Sequence, residues 1–417
     1  MKFLRATSLS FVLCATLLTL PARADNWPRF RGPNGSGVSE DKNIPVEWTE
    51  KNILWKCEIP GVGHSSPIVW GDRIFLQTAS KDGKERSMVC VSATTGTILW
   101  NTPVQGAKAG THQKNSLASG TPTTDGKQVY AIFWDGKDLE AVAFDFDGKI
   151  VWNKDQGSFT SQHGAGHSPI VVDGKVIYAN DQDGSAKIVA LDAKDGSEVW
   201  SKKRTAFRSC YSTPFLRDRQ DGKPEVVVTS SAGIAGYNPK TGDMNWEYTW
   251  SFDGMALRTV ASSIYAQGMI FACSGDGKGD RHAIAVQADG TGDTTKNTLV
   301  WEEKKSLPYV PSLLAKGEYI FFVNDRGMAG CFTAKKGEEV WTKSLPGGDV
   351  SASPIMIDGK IYDINEKGDV YVFAAEDKFK QLAKNSIGES VAATPAVADG
   401  KLYVRGHDHL FCIGKPK

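Results

Sequence analysis

Seven side chains with acid–base or ligand-binding chemistry lie in loops that lead into short β-prone runs. They are His64, His112, His163, His167, Arg208, Arg258 and Tyr309. Imidazole and guanidinium groups gathered around one opening would suit an anionic or carboxylated ligand, and histidines from separate elements could hold a metal ion. The alternative is that these polar side chains are simply solvated by water and bind no ligand. His64 and His167 share a Gly-His-Ser frame, so we expect them at nearly equivalent positions.

Two acidic residues suggest a second kind of site. Asp276 and Asp280 in the segment SGDGKGDR offer the oxygen ligands that Ca²⁺ prefers. A lysine and an arginine are interspersed with them, which favours a solvated hairpin loop. His163 and His167 have the spacing of a helical zinc motif, but their segment is rich in glycine. We therefore predict no metal site.

The element that must position these residues is clearest at residues 166–200, GHSPIVVDGKVIYANDQDGSAKIVALDAKDGSEVW. Four short apolar runs alternate there with turns that contain Asp-Gly. Because glycine accepts the positive φ of tight turns, this pattern predicts a four-stranded antiparallel meander. Such a sheet cannot bury both faces alone and needs copies of itself on either side.

Two landmarks show that the chain supplies those copies. A hydroxyl residue beside proline, or a degenerate version of that pair, opens eight inner strands at Ser66, Thr121, Ser168, Thr213, Ser262, Ser312, Ser353 and Thr394. A tryptophan closes seven outer strands at Trp55, Trp100, Trp152, Trp200, Trp246, Trp301 and Trp341, with Leu382 in the eighth place. The period predicts an all-β fold, an eight-bladed β-propeller of four-stranded antiparallel blades over residues 53–417.

The two series are out of phase by one strand, which predicts how the ring closes. Trp55 precedes the first hydroxyl–proline pair, and the last copy ends after three strands. We expect the N-terminal strand to complete the last blade and so remove an exposed edge. Closure would bring Cys57 beside Cys412, where we predict a disulfide. Burial of the cysteines as free thiols in strands is the alternative.

The first 24 residues are typical of a cleaved signal peptide. Lys2 and Arg5 precede an apolar run, and Ala22-Arg23-Ala24 forms a cleavage site before Asp25. We therefore predict export to the periplasm or the cell exterior, with no membrane-spanning segment. Residues 25–52 have no helical or strand period and are predicted to form an irregular arm. The balance of 49 basic and 48 acidic residues argues against a nucleic-acid partner.

The turns SATTGTILW, LDAKDGSEVW, YNPKTGDMNW and FTAKKGEEVW and the eight-blade count resemble the pyrroloquinoline-quinone (PQQ) repeat superfamily. It includes quinoprotein alcohol dehydrogenases and the non-enzymatic barrel-assembly scaffold of the bacterial outer membrane. The arm WPRFRGPNGSGVS looks closer still to exported PQQ-like repeat proteins of unassigned function. The resemblance implies that the turn tryptophans are structural residues that dock adjacent blades, with glycine giving them room.

The resemblance also implies what an enzyme of this superfamily would need. Quinoprotein dehydrogenases hold PQQ between an indole and a vicinal disulfide, beside Ca²⁺. This chain has no adjacent cysteines. We therefore predict no cofactor and no catalytic residue, and PQQ with Ca²⁺ would apply only if the chain were a quinone-dependent oxidoreductase with a divergent site.

Loop lengths favour a binding role. Residues 105–116, 156–165 and 251–259 form longer connections that cross the same face as the histidines, and loops on a rigid scaffold commonly carry function. We predict a non-catalytic binding or assembly scaffold whose partners are other exported or envelope proteins. The alternatives are the oxidoreductase and a funnel that binds a small anionic or sugar-like ligand.

Overall fold

The computed structural model describes residues 26–416 apart from Ala256 and Lys278. The predicted signal peptide lies outside the described residues. Eight antiparallel sheets follow one another along the chain, and their first strands surround a central cavity. The predicted eight-bladed propeller is confirmed. We number the blades in chain order from the first complete sheet, and we name their strands A to D from the channel outward.

The first four blades occupy residues 68–249, with one short added strand. Blade 1 comprises Ile68–Trp70, Arg73–Ala79, Glu85–Ser92 and Ile98–Gln105. Blade 2 comprises Thr123–Thr124, Gln128–Trp134, Asp138–Asp145 and Ile150–Ser158. Blade 3 comprises Ile170–Val172, Lys175–Gln182, Ser185–Asp192 and Glu198–Lys203. Blade 4 comprises Phe215–Asp218, Pro224–Ser230, Gly233–Tyr237 and Met244–Thr249, with Gly292–Asp293 added in parallel outside the last.

The other four blades complete the ring. Blade 5 comprises Ile264–Ala266, Met269–Gly275, Arg281–Gln287 and Leu299–Glu303. Blade 6 comprises Leu314–Lys316, Tyr319–Val323, Met328–Thr333 and Glu339–Ser344. Blade 7 comprises Ile355–Ile357, Lys360–Ile364, Asp369–Ala374 and Gln381–Ser386, with Val38–Ser39 paired in parallel to its first strand. Blade 8 comprises Ala396–Ala398, Lys401–Arg405, His409–Gly414 and Ile53–Glu58.

The hydrophobic core lies between neighbouring blades. Strands B and C are buried on both faces, as in Lys175–Gln182, whereas the outer strands alternate between buried and exposed residues. One apolar cluster joins Tyr130 of blade 2 to Val189 of blade 3, and the next joins Ile188 of blade 3 to Val226 of blade 4. Each blade therefore buries both of its faces only by packing on two neighbours, as the repeat pattern predicts.

Ring closure occurs as expected, but the predicted disulfide does not form. Ile53–Glu58 pairs antiparallel with His409–Gly414 and supplies strand D of blade 8. In this register Cys57 lies opposite Leu410, and Cys412 lies opposite Trp55. The two cysteines are therefore diagonal neighbours, a relation that separates α-carbons by about 7–8 Å, beyond the usual disulfide span. Both are buried free thiols.

Six tryptophans dock their blades onto the next blade in the same way. The Trp152 indole donates from Nε1 to the carbonyl of Ala193 at 3.0 Å. Its ring covers Gly196, whose φ is 73°, and a β-carbon there would lie 2.6 Å from the ring. Equivalent indole-to-carbonyl hydrogen bonds are made by Trp55, Trp100, Trp200, Trp301 and Trp341.

Trp246 departs from this arrangement. Its Nε1 donates to Glu225 of its own blade at 2.9 Å, instead of reaching a carbonyl of blade 5. The fully buried Glu225 carboxylate also pairs with Arg217 at 2.7 Å and with Arg219 at 3.0 Å. The connection between strands C and D of blade 5 is longer than elsewhere, and its Gly292–Asp293 segment pairs with the strand that carries Trp246.

The N-terminal arm crosses the face of the propeller opposite the loops that carry the histidines. It contains two 3₁₀ turns, Pro33–Gly35 and Glu50–Asn52, around the short strand Val38–Ser39. Trp27 forms a bridge with Val69 of blade 1, and Val38 pairs with Met356 of blade 7. The arm thus spans the ring before it enters strand D of blade 8.

Candidate functional site

A ring of hydroxyl side chains forms the inner wall of the central channel. In seven of the eight residues the backbone N–H donates to the hydroxyl of the corresponding residue in the next blade, at 2.9–3.3 Å. This holds for the pairs Ser66–Thr121, Thr121–Ser168, Thr213–Ser262, Ser262–Ser312, Ser312–Ser353, Ser353–Thr394 and Thr394–Ser66. These residues are the eight hydroxyl landmarks of the sequence. They recur because they precede the inner strands and also because their hydroxyls form this ring.

The arm closes one end of this channel. Phe30 lines the cavity that the hydroxyl ring surrounds. The flanking Arg29 and Arg31 are buried, and their guanidinium groups donate to backbone carbonyls of Pro214 and Ser312, at the starts of inner strands. The channel is therefore a cup of about 760 Å³, with its floor on the arm side and its mouth among the loops that join strand D of one blade to strand A of the next.

Six of the seven predicted side chains line this cup. They are His64, His112, His163, Arg208, Arg258 and Tyr309. His112 and His163 stack with ring centroids 4.5 Å apart. Arg258 lies beside them and donates from Nη1 to Nε2 of His163 at 3.2 Å, which places the His163 proton on Nδ1. The structure therefore brings residues of blades 2, 3 and 5 into one corner.

Both His64 and His163 are held neutral. Burial lowers the pKa of the His163 imidazole to about 4, and the guanidinium of Arg258 contributes in the same direction. Burial, followed by Arg405, lowers the pKa of His64 to about 4. At neutral pH these imidazoles are hydrogen-bonding groups without charge, so they add no positive charge to the cup.

His167 does not reach the cup, contrary to the predicted equivalence with His64. It is 3% exposed, packs edge-on against Phe159 at 4.8 Å, and has both ring nitrogens buried without a hydrogen-bond partner. His64 stands two residues before its ring hydroxyl, whereas His167 stands only one residue before Ser168. Successive side chains of an extended segment point to opposite sides, so the one-residue offset turns His167 away from the channel.

The cup also has an acidic side that the sequence analysis missed. Lys114 donates to Asp349 at 2.9 Å and to Glu366 at 2.7 Å. In the adjacent blade 6, Asp325 pairs with Arg281 at 2.5 Å. Asp325 and Glu366 lie in hairpins between strands B and C, which open on the same face as the histidine-bearing loops.

The Asp276–Asp280 segment is a hairpin between strands B and C of blade 5, as expected. Asp276 lines the cup and accepts hydrogen bonds from the backbone N–H groups of Gly279 and Asp280. Within the described part of the chain, no group of three or more His, Cys, Asp or Glu residues is arranged to hold a metal ion. The same part contains no helix of the length and apolarity that a bilayer crossing requires.

Comparison with known proteins places the chain in a family. A family model of PQQ-like repeats, described as outer membrane protein assembly factor BamB, matches residues 38–138 and 87–343. The chain belongs to this family. No curated protein matches it by sequence.

Solved structures share the propeller at low sequence identity. BamB from Moraxella catarrhalis is 13% identical, with a TM-score of 0.63 over 87% of this chain and 99% of that one. Quinohemoprotein alcohol dehydrogenase from Comamonas testosteroni is 12% identical, with a TM-score of 0.67 over 95% and 82% of the two chains. The computationally designed Ika8 protein is 14% identical, with a TM-score of 0.59 over 87% and 100%. An assembly factor, an enzyme and a designed protein share this fold, so the likeness is one of architecture alone.

Proposed function

We propose that the protein is an exported, non-catalytic binding scaffold that engages another exported or envelope protein through the loops around the mouth of the cup. The observation that carries this proposal is Phe207, which is 56% exposed in the loop between blades 3 and 4. Arg208 follows it and lines the cup. Met255, 40% exposed, lies in the next such loop. Exposed aromatic and arginine side chains are the residues that most often dominate protein interfaces.

The rest of the propeller supplies rigidity, not contacts with the partner. The hydroxyl ring links the inner strands, the tryptophans dock the outer strands of six blades, and the two longest connections of the propeller, residues 106–122 and 250–263, lie at the mouth. A rigid scaffold with variable loops on one face loses little conformational entropy on binding. The family match to an outer membrane assembly factor supports a protein partner in the envelope.

A photo-crosslinking residue at position 207 tests this proposal. Placed in the full-length protein in intact cells, it should capture a specific partner. The same residue at Val199, 43% exposed on the outer strand of blade 3, is the matched control. Identical capture from both positions, or none from position 207, would contradict the proposal. N-terminal sequencing of the recovered protein tests export, with Asp25 expected as the first residue.

The cup does not fit the PQQ setting that the superfamily's enzymes use. Among the described residues, its lining includes no tryptophan, and its floor is Phe30 beneath a ring of hydroxyl groups. The six described cysteines are buried thiols that do not line it. We therefore derive no quinone chemistry. Protein reconstituted with PQQ and Ca²⁺ should neither retain a quinone absorbance band after desalting nor reduce dyes with alcohols, and either result would overturn this conclusion.

A further inference from the structure

Two arginines beneath the floor of the cup carry charges that no carboxylate offsets. Arg29 and Arg31 are 7% and 0% exposed. Arg29 donates to the carbonyl of Pro214. Arg31 donates to the carbonyls of Gly35, Ser36, Ser312, Leu313 and Pro354. In the described part of the chain neither makes an ion pair. Burial lowers the pKa of both groups to about 9, which leaves them protonated at neutral pH.

The wall of the cup adds further cations whose hydrogen-bond partners are neutral. Arg258, 3% exposed, donates to the carbonyl of Ser209 at 3.0 Å and to His163. Arg208 lines the same side and is half-buried, and no carboxylate among the described residues pairs with it. The guanidinium groups of Arg208 and Arg258 thus line the same part of the cup as the neutral imidazole of His163.

The carboxylates of Asp325, Asp349 and Glu366 already have cationic partners. Asp325 accepts from Arg281 and also from the backbone N–H of Tyr309 at 2.8 Å. Asp349 shares Lys114 with Glu366. Five cationic side chains line the cup against the carboxylates of Asp276, Asp325 and Asp349, and Glu366 adds a fourth carboxylate through its pair with Lys114. With the two arginines below the floor, the cup has a positive surplus, and low-dielectric walls focus such a field.

We propose that the cup binds a small organic or inorganic anion with more than one negative charge, held by Arg208 and Arg258 above the floor of Phe30. Its volume of about 760 Å³ lies within the range of small-molecule sites. Carboxylate and phosphate share the chemistry that a guanidinium fork recognises. The site shares Arg208 with the protein-binding face, but its ligand enters the channel instead of covering the loops.

Isothermal titration of the full mature chain with citrate, inorganic phosphate and glucose tests the proposal. We expect citrate or phosphate to bind and glucose, a neutral molecule, to give no heat above dilution. Citrate alone would identify a carboxylate site, and phosphate alone a phosphate site. Affinity should fall steeply between about 20 and 300 mM NaCl because salt screens these charges.

Matched variants locate the bound anion. Arg208→Gln should weaken it about tenfold to a hundredfold, the effect of losing a charge-assisted hydrogen bond. Lys203→Gln removes one exposed charge at the end of an outer strand and should leave affinity unchanged. Binding of neither anion, or equal loss in both variants, would overturn the proposal. Crosslinking from position 207 is measured in cells with Arg208 intact, and anion binding is measured on the purified protein without a partner, so the two proposals fail separately.

Discussion

Asp363 has a carboxyl group inside blade 7 without any hydrogen-bond partner. It lies in the strand Lys360–Ile364, is 1% exposed, and both carboxyl oxygens are buried and unpaired. Burial raises the pKa of Asp363 to about 7 from 3.8. The group therefore stays protonated in the folded protein at a pH where it ionises in the unfolded chain.

The direction of the pH effect follows from proton binding. Between pH 3.8 and about 7 the folded state holds this proton and the unfolded state does not. Stability must then fall as pH rises through this window, by about 1.4 kcal/mol per pH unit. A pKa shift of about three units lowers the free energy of unfolding by about 4 kcal/mol. This destabilisation is fully present above pH 7 and absent below pH 4.

Asp363→Asn removes the ionisable group and keeps its size. We expect the difference in the free energy of unfolding, variant minus wild type, to rise by about 4 kcal/mol from about pH 4 to about pH 8. Reversible urea unfolding followed by tryptophan fluorescence measures it. Taking the difference cancels the titration of the buried histidines. Any change in hydrogen bonding made by the amide is independent of pH.

The control is Asp377→Asn, at an exposed position of the same blade. Its difference from wild type gives the effect of removing one exposed carboxylate from the same blade. If the Asp363→Asn difference did not vary with pH, the carboxylate would be charged in the folded state, and the reasoning from burial would be refuted. A smaller rise with the same sign would place the pKa of Asp363 in the folded protein between 3.8 and about 7.

Three other outcomes are expected. Trp200→Ala should lower the free energy of unfolding by about 3–5 kcal/mol in urea, because it empties a buried docking site and removes the indole donor to Pro239. Burial lowers the pKa of His167 to about 4, so the wild type loses about 3 kcal/mol of unfolding free energy at this residue as pH falls from 6.5 to 4. His167→Phe should abolish that loss. Unfolded, unreduced mature protein should titrate with six thiols, and four would restore the Cys57–Cys412 disulfide.

The fold could be predicted because its landmarks are local and repeated. Ser262 and Ser312 lack the full hydroxyl–proline pair, yet their hydroxyls take their places in the ring. Trp246 could not be predicted to differ, because its own blade has the ordinary turn. The difference arises from blade 5, where a longer connection replaces the turn that would receive the indole.

The cup was predicted less well because residues were aligned by motif instead of by strand register. Counted from each ring hydroxyl, the residue two positions earlier lines the cup in every blade. These residues are His64, Ser119, Gly166, Tyr211, Val260, Val310, Ser351 and Ala392. Such counting would have excluded His167 and found Tyr211. Residues of the B–C hairpins, such as Asp325, have no landmark of this kind and needed the structure.

The arm explains why positive charge lies beneath the floor of the cup. The starts of the inner strands leave backbone carbonyls without strand partners, and buried carbonyls require donors. An arginine offers five N–H donors in one planar group, so Arg31 satisfies carbonyls of blades 6 and 7 together. Carbonyls are neutral, and the charge therefore remains. Arg29 and Arg31 thus have two effects. They help to close the channel by binding carbonyls of separate blades, and they place uncompensated charge beneath its floor.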